Sequence, residues 1–303
     1  MGAQLRAVRQ RISGIQSIAK ITRAQELIAA SRIIRAQQRV RSAAPYANEL
    51  RRAVEAVVSR SANIDHPLVR EPATTERAAV LILTSDRGFC GGFNSNVLRE
   101  AQRLRVMLGR DGTAVDTFVT GTKGIVWHRF RDLEVAGQWS GFSDNPAAAD
   151  AGDVTSALLE AFGRPAADGG VDQIHLVHTE FISMLTQRPV IHRILPLEVE
   201  EVEGDPPTGP VPLYEFEPSP QAVLDALLPW YVENRIYHAL LESAAAEIAA
   251  RRRAMKSATD NANHLLEQFT LEANKARQAE ITQEISEIVG GANALAESIA
   301  DSE

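Results

Sequence analysis

The feature that most constrains this chain is its C-terminal stretch, where a helical pattern continues for about 80 residues. Ser219 suits an N-cap, and Pro220 suits the first helical position, where its missing N–H costs nothing. After Pro220 the only further proline is Pro229. At ~1.5 Å per residue this helix is roughly 120 Å long, whereas a domain of about 120 residues is only about 30 to 40 Å across. The helix therefore needs a long partner to bury its apolar stripe.

The N-terminal segment is the candidate partner. Its apolar residues recur at steps of three and four from Leu5 to Val40, with arginines between them, which predicts an amphipathic helix. Pro45 is expected to kink or interrupt this helix before a second helical stretch at about residues 46–59. Residues 1–60 hold 12 Lys+Arg and 3 Asp+Glu, and residues 220–303 hold 7 and 13, so the two segments carry opposite net charge. Each exposed ion pair contributes only ~0 to 1 kcal/mol, but the sign favours pairing.

The spacing within the C-terminal segment predicts the seam of a coiled coil. Small apolar residues dominate its upstream part, which allows two helix backbones to approach closely. The downstream part follows steps of four and three. The predicted seam residues are Ala258, Ala262, Leu265, Phe269, Ala273, Ala276, Ile281, Ile285, Ile288, Ala292, Leu295 and Ile299.

The middle of the chain alternates short apolar runs with helical patterns, which predicts a small α/β sheet domain. We expect strands at 78–84, 114–120, 173–181 and 188–196, and helices ending near 108 and at 124–130 and 153–162. The predicted fold is an α/β class chain: a long antiparallel coiled coil of N- and C-terminal helices plus a central Rossmann-like α/β domain. Its segments are a shaft helix (1–62), a linker (63–77), the α/β domain (78–202), an acidic Pro-rich connector (203–219) and a second shaft helix (220–303).

Several classes of protein are disfavoured. No apolar stretch reaches 18 residues, so we expect no direct membrane insertion and no cleaved signal. The single cysteine, Cys90, excludes an internal disulfide framework and fits a reducing compartment, with the cytoplasm as the simplest choice. The segregated charge argues against a uniformly basic nucleic-acid binder.

No catalytic, metal or cofactor site is expected either. His175 and His178 lie three apart on a predicted strand and so point to opposite faces, which disfavours a metal pair. The glycine-rich turn at 86–94 matches neither G-x-G-x-x-G nor G-x-x-x-x-G-K-[ST]. Cys90 has no obvious base near it in sequence and is expected to be a packed thiol.

One segment resembles a known family. Residues 281–294 read ITQEISEIVGGANA, which is similar to the signature of F-type ATP synthase gamma subunits. Further segments resemble the same family in the same order: 20–24 with 29–32, 85–94, 254–262 and 274–279. One departure is Gln25, where the family usually has methionine.

The resemblance implies the rotating central stalk of F1, peripheral on the cytoplasmic side of the cell membrane, coupling proton transport to ATP synthesis. It implies a shaft within a ring of three alpha and three beta subunits, and a globular foot on the membrane rotor c-ring beside the epsilon subunit. The nucleotide sites would belong to the ring, so this chain would not itself be an enzyme.

Carried over residue by residue, the resemblance places Arg277 and Gln278 at positions that bond to a beta-subunit loop. Arg251, Thr282 and Glu284 match positions tied to coupling in the same zone. Ring contact or coupling is also expected, in the N-terminal motif, of Lys20, Thr22, Arg23 and Gln25.

Other readings remain open from the residues alone. Periodicity by itself is equally typical of a static coiled-coil adaptor or scaffold. An α/β enzyme with helical arms would need a convergent catalytic cluster in residues 78–198, and we see none. The basic run at 251–253 with Lys256 is, in isolation, about equally consistent with a solvated helix face.

Overall fold

A computed structural model describes residues 2–60, 68–69, 74–165, 168–197, 216–217 and 219–300. Five helices and five strands occur in these ranges. They are α1 (Gly2–Arg60), β1 (Arg77–Leu83), α2 (Phe93–Arg110), β2 (Ala114–Thr120), α3 (Thr122–Arg129), β3 (Gly137–Trp139), α4 (Ala148–Gly163), β4 (Gln173–Phe181), β5 (Gln187–Leu195) and α5 (Pro220–Ala300). Most of the predicted linker and connector, at 63–77 and 203–219, lies outside the described residues.

The chain divides into two compact units. The helix-pair unit comprises Met1–Ile28 with Ala254–Glu303, and the sheet unit comprises Ala29–Arg253. Both α1 and α5 contribute to both units. Each unit is described by itself below.

The helix-pair unit is an antiparallel pair of helices. The hydroxyls of Thr22 and Thr259 lie 2.8 Å apart. Further along α5, the guanidinium of Arg11 lies 6.0 Å from the centre of the Phe269 ring. Because the position on α1 decreases as the position on α5 increases, the helices run in opposite directions. The predicted antiparallel coiled coil of the chain ends is confirmed.

The predicted seam is wrong over its downstream part. Ile281 and Ile288 are 45% and 71% exposed, and every described side chain from 281 to 292 is exposed. Since Arg11 lies over Phe269, the turns of α1 that precede Arg11 reach only to about residue 278 of α5. The isoleucine stripe therefore continues beyond the end of its partner helix. The side chains of Leu295 and Ile299 lie outside the described residues.

The sheet unit contains a five-stranded sheet in the order β3-β2-β1-β4-β5. All neighbouring strands are parallel except β5, which runs antiparallel to β4. One face packs on α4 and α5 through residues such as Leu81, Leu158 and Ile236. The other face packs on α2 and α3 through residues such as Val97 and Val119. The predicted Rossmann-like domain and its four strands are confirmed, and β3 is an additional strand.

In the sheet unit α1 also packs against α5, again in antiparallel fashion. Ala29 and Ile33 lie in a cluster with Ala245 and Ala249, and Val54 and Val57 lie in a cluster with Leu224 and Leu228, nearer the start of α5. Helix α1 continues through Pro45, so the proline does not interrupt it. Packing on both sides of the proline offsets the roughly 3 kcal/mol that an internal proline costs.

The ends of β1 and β2 approach each other closely at Gly121. This residue has a φ of +91°, and a Cβ atom there would lie 2.2 Å from the carbonyl oxygen of Thr84. Thr84 Oγ1 donates to the carbonyl of Thr120 at 2.7 Å and accepts from the N–H of Gly124 at 2.9 Å. Glycine is therefore required at 121 both by its backbone conformation and by the space available.

We expect Gly121→Ala to lower the free energy of unfolding by about 3 kcal/mol or more, because the methyl group meets backbone that cannot move aside. Gly112→Ala is the matched control. Gly112 also has a positive φ, +80°, but has nothing within 4 Å of a Cβ, so only about 1 to 2 kcal/mol of conformational strain is expected. Urea unfolding followed by tryptophan fluorescence measures both. Equal losses in the two variants would contradict the role assigned to close approach.

Candidate partner interface

Four of the predicted site residues lie on the exposed distal part of α5. The side chains of Arg277, Gln278, Thr282 and Glu284 are all exposed. The Thr282 hydroxyl donates to the carbonyl of Gln278 at 2.9 Å, within the helix. No hydrogen bond or ion pair joins the side chains of Arg277, Gln278 or Glu284 to another described residue. We call residues 277–292 the distal α5 surface.

The distal α5 surface combines these polar groups with apolar ones. Ile281, Ile285, Ile288 and Val289 are between 45% and 71% exposed. Fully burying one such side chain contributes about 1.5 to 3 kcal/mol. Contiguous exposed apolar residues with polar neighbours are typical of an interaction surface. The distal α5 surface therefore has the composition of a protein interaction surface.

Three predicted site residues on α1 are also exposed: Lys20, Arg23 and Gln25. Arg23 Nη1 lies 2.8 Å from Oε2 of Glu26, whose side chain is only 10% exposed. This ion pair stays within one helix turn and holds the Arg23 side chain along α1. Lys20 and Gln25 remain available to a partner.

Thr22 is placed differently, in the seam of the helix pair. Its hydroxyl lies 2.8 Å from that of Thr259 and 3.1 Å from the carbonyl of Ala19, and the Thr259 hydroxyl lies 2.9 Å from the carbonyl of Met255. Since each hydroxyl has one hydrogen, one of them donates to the other, which in turn donates to the carbonyl in its own helix. Both threonines are buried. The Thr22 hydroxyl is therefore used inside the chain.

Arg251 also makes its contacts within the chain. Its side chain is 13% exposed, and Nη2 lies 2.7 Å from Oε1 of the buried Glu247. The guanidinium donates to the carbonyls of Arg87 and Gly88. Burial raises the pKa of Glu247, and the charge of Arg251 opposes that rise. Arg251 belongs to the sheet unit and ties α5 to the β1–α2 loop, whereas Arg277 belongs to the helix-pair unit.

The β1–α2 loop, residues 84–92, is held by Asp86. One carboxylate oxygen accepts from the N–H and the hydroxyl of Thr122, and the other accepts from the N–H groups of Gly141 and Ser143, all between 2.8 and 3.0 Å. Burial alone would raise the pKa of Asp86, but these hydrogen bonds outweigh it and hold the pKa below its ordinary value. Asp86 thereby joins three loops at the carboxyl ends of the strands.

The same loop exposes one large side chain. Phe89 has a φ of +61° and is 81% exposed, whereas Cys90 next to it is buried. Burial raises the pKa of the Cys90 thiol, which also contacts the hydroxyl of Ser85 at 3.7 Å. These contacts agree with a packed thiol. Sequence reasoning missed Asp86 and Glu247, although Glu247 lies four residues before Arg251 on one helix face, which is a usable signal.

His175 and His178 lie on opposite faces of β4, as their spacing in the sequence predicts. The His178 ring contacts Glu242 of α5, with 3.2 Å between Nε2 and Oε2, while the His175 ring contacts Gln173. Within the described ranges, no group of three or more His, Cys, Asp or Glu side chains is arranged to hold a metal ion. None of the described helices is long and apolar enough to cross a membrane.

We expect Asp86→Asn to lower the free energy of unfolding by about 1 to 2 kcal/mol at pH 7, because an amide offers one acceptor oxygen to four donors. The folded pKa of Asp86 lies below its ordinary value of 3.8. Its stabilisation is therefore complete above that value and is lost as pH falls through the folded pKa. Urea unfolding from pH 7 to pH 3 should show the difference between the two proteins shrinking below about pH 4. Asp153→Asn, at an exposed position, should change stability by less than ~0.5 kcal/mol.

We expect Thr22→Val and Thr259→Val to be coupled. Each single substitution should cost about 0.5 to 1.5 kcal/mol, because the remaining hydroxyl keeps its carbonyl acceptor but loses its partner. The double variant should cost less than the sum, with a coupling energy of at least about 0.5 kcal/mol. Urea unfolding followed by circular dichroism at 222 nm measures the cycle. Strictly additive losses would show that the two hydroxyls do not interact.

Comparison with known proteins places this chain among a large set of relatives. A family model described as ATP synthase matches residues 4–295. The chain is 59% identical over 295 residues to the ATP synthase gamma chain of Acidothermus cellulolyticus, covering 97% of this chain and 98% of that protein. It is 55% identical over 306 residues to the ATP synthase gamma chain of Thermobifida fusca, covering 100% of both.

Two solved structures share the fold. A chain in the mitochondrial ATP synthase of Euglena gracilis (OSCP/F1/c-ring, rotational state 3) matches with a TM-score of 0.66 at 17% identity, covering 97% of this chain and 95% of that one. A chain in the central stalk/c-ring structure of the Tetrahymena thermophila mitochondrial ATP synthase matches with a TM-score of 0.57 at 20% identity, covering 78% and 99%.

Proposed function

Since the chain belongs to the ATP synthase gamma chain family, we propose that it is the central-stalk rotor subunit of a proton-translocating F1Fo ATP synthase. In this role it transmits rotation of the membrane rotor ring to the catalytic sites of the ring of alpha and beta subunits. The observation that carries the proposal is the distal α5 surface, which extends beyond the end of α1 and exposes an apolar stripe.

The distal α5 surface suits a shaft that turns inside a protein collar. It is a single helix past about residue 278, so it is narrow. Apolar contact is non-directional, and its energy follows the area buried. A stripe of isoleucine therefore contacts a surrounding apolar sleeve at many rotational angles without a bond geometry that fixes one angle.

The polar groups supply the dependence on angle. A rotor changes the state of a catalytic site only through a difference in contact energy between angular positions. Arg277 and Gln278 are exposed and have no partner among the described residues, so their side chains are available to a beta-subunit loop. Thr282 and Glu284 extend the same surface, and Lys20, Arg23 and Gln25 offer polar contacts on α1.

Thr22 and Arg251 take a different part in this proposal. Thr22 hydrogen-bonds to Thr259 within the helix pair, whereas Arg251 forms an ion pair with Glu247 and donates hydrogen bonds to the β1–α2 loop. They act on the ring indirectly, by holding the surfaces beside them. Both are positioning residues.

The proposed assembly has three alpha subunits, three beta subunits and one copy of this chain, with the epsilon subunit and the c-ring contacting its sheet unit. The chain itself carries out no chemistry in this assembly, and the nucleotide sites belong to the ring. The complex would lie at the cytoplasmic side of the cell membrane, with this chain as a peripheral component.

We expect Arg277→Ala with Gln278→Ala to lower coupled ATP synthesis by at least about tenfold, because a hydrogen bond to a charged group contributes about 1.5 to 3 kcal/mol. ATP synthesis in reconstituted vesicles measures coupling, and the mass of the purified complex measures assembly. Assembly should be reduced much less than synthesis, since the apolar stripe is unchanged.

Glu267→Ala with Gln268→Ala is the matched control. Both residues are exposed on the same helix and lie outside the distal α5 surface, so synthesis should be close to that of the unaltered complex. If the Arg277 and Gln278 variant synthesises ATP at the normal rate, the two residues do not transmit rotation. An ATPase activity that is the same with and without this chain would instead favour a static adaptor.

A further inference from the structure

A small cavity in the sheet unit lies between the first turn of α2, the β4–β5 hairpin and α5. Its volume is about 40 Å³, and its polar lining includes Asn96, Thr179, Gln187 and Arg253. A volume of this kind needs roughly 10 to 15 Å³ for each water. The cavity is therefore large enough for about three waters or for one small oxyanion.

The lining of the cavity is rich in donors and contains no carboxylate. Arg253 donates through Nη1 to the carbonyl of Leu185 and through Nη2 to Oε1 of Gln187, the latter at 2.9 Å. Both acceptors are neutral, and no carboxylate of the described residues pairs with this guanidinium. Its positive charge is thus uncompensated beside the cavity, which favours an anion.

Thr179 contributes a buried hydroxyl without a hydrogen-bond partner. The residue is 4% exposed, and its Oγ1 makes no hydrogen bond among the described residues. Side chains alternate along β4, so Thr179 faces the same side as Val177, which packs on α2. Its cross-strand neighbour Pro189 also lines the cavity. The hydroxyl therefore points to the space between the hairpin and α2.

The first turn of α2 closes the cavity with the positive end of a helix. α2 has 18 residues, and its N-cap residue, Gly92, offers no side-chain cap. The N–H of Phe93 donates to the carbonyl of Cys90 at 3.2 Å, so the N–H groups of Asn94 and Ser95 are the ones in the first turn without a backbone acceptor among the described residues. Gly92 and Phe93 both line the cavity. The N-terminus of a helix attracts negative charge through these N–H groups and through the helix dipole.

We propose that this cavity binds one small oxyanion, held by the Arg253 guanidinium, the Thr179 hydroxyl and the first turn of α2. Two sources share this chemistry: free inorganic phosphate, and the carboxylate of an acidic side chain on a partner. The proposal does not depend on the rotor function, because the site lies wholly within this chain.

The test uses the full chain, with inorganic phosphate as the first probe and acetate as the second. Isothermal titration calorimetry should show saturable phosphate binding at one site. Arg253→Gln should weaken that binding by at least about tenfold, because it removes a charge-assisted donor. Arg252→Gln, which changes the neighbouring arginine outside the cavity lining, should leave it unchanged. Acetate binding without phosphate binding would assign the cavity to a partner's carboxylate.

Thr179→Val separates a binding role from a purely structural one, because only a binding role makes its effect on the unfolding temperature depend on phosphate. Without phosphate, the variant should unfold at a higher temperature than the unaltered chain, because an unpartnered buried hydroxyl has been removed. With saturating phosphate that advantage should shrink or reverse, because the variant binds the anion more weakly. Failure of both phosphate and acetate to bind would overturn the proposal, as would binding unaffected by Arg253→Gln and Thr179→Val.

Discussion

The apolar stripe of α5 must be covered along 81 residues, and much of the chain is arranged around that requirement. Within the sheet unit, the first part of α5 is covered by α1 and by one face of the sheet, where Leu224, Val232 and Ile236 are fully buried. Within the helix-pair unit, α1 provides the cover. Past about residue 278 no described residue covers the stripe, and the distal α5 surface is the result. The proposed contact with the ring of alpha and beta subunits follows from this uncovered apolar stripe.

A charged side chain that stabilises the fold needs a partner within the chain, whereas one that binds another molecule must keep its charge unpaired. Arg251 has a carboxylate partner in Glu247 and two carbonyl acceptors, so it stabilises its own unit. Arg277 and Arg253 have no carboxylate partner among the described residues and are exposed. Arg253 donates only to neutral acceptors, and the Arg277 side chain makes no hydrogen bond or ion pair among the described residues, so both positive charges remain available for binding. Arg251 therefore stabilises the fold, whereas Arg277 and Arg253 are available to bind a partner or a ligand.

Much of the fold could be predicted from the sequence, because periodicity and chain punctuation are local properties. The steps of three and four gave both terminal helices, and the short apolar runs gave four of five strands. β3 was missed because its three residues, Gly137–Trp139, are too few to show a pattern. The seam past Ile281 was mispredicted because a stripe shows only that a helix has an apolar face and does not show what covers it. The family resemblance named candidate residues but did not reveal that Thr22 and Arg251 are held inside the chain. The cavity at Thr179 could not be predicted, because it joins segments far apart in sequence.

The two edge strands of the sheet, β3 and β5, determine how readily the sheet could pair with another chain. Exposed edge strands are templates for unwanted pairing with other chains. Here one edge, β3, has only three residues. The other edge, β5, carries Pro189, which lacks a backbone donor, together with the charged Arg188. The row of outward backbone groups is therefore short at β3 and lacks a donor at Pro189 in β5, and both features disfavour pairing of the sheet with another chain.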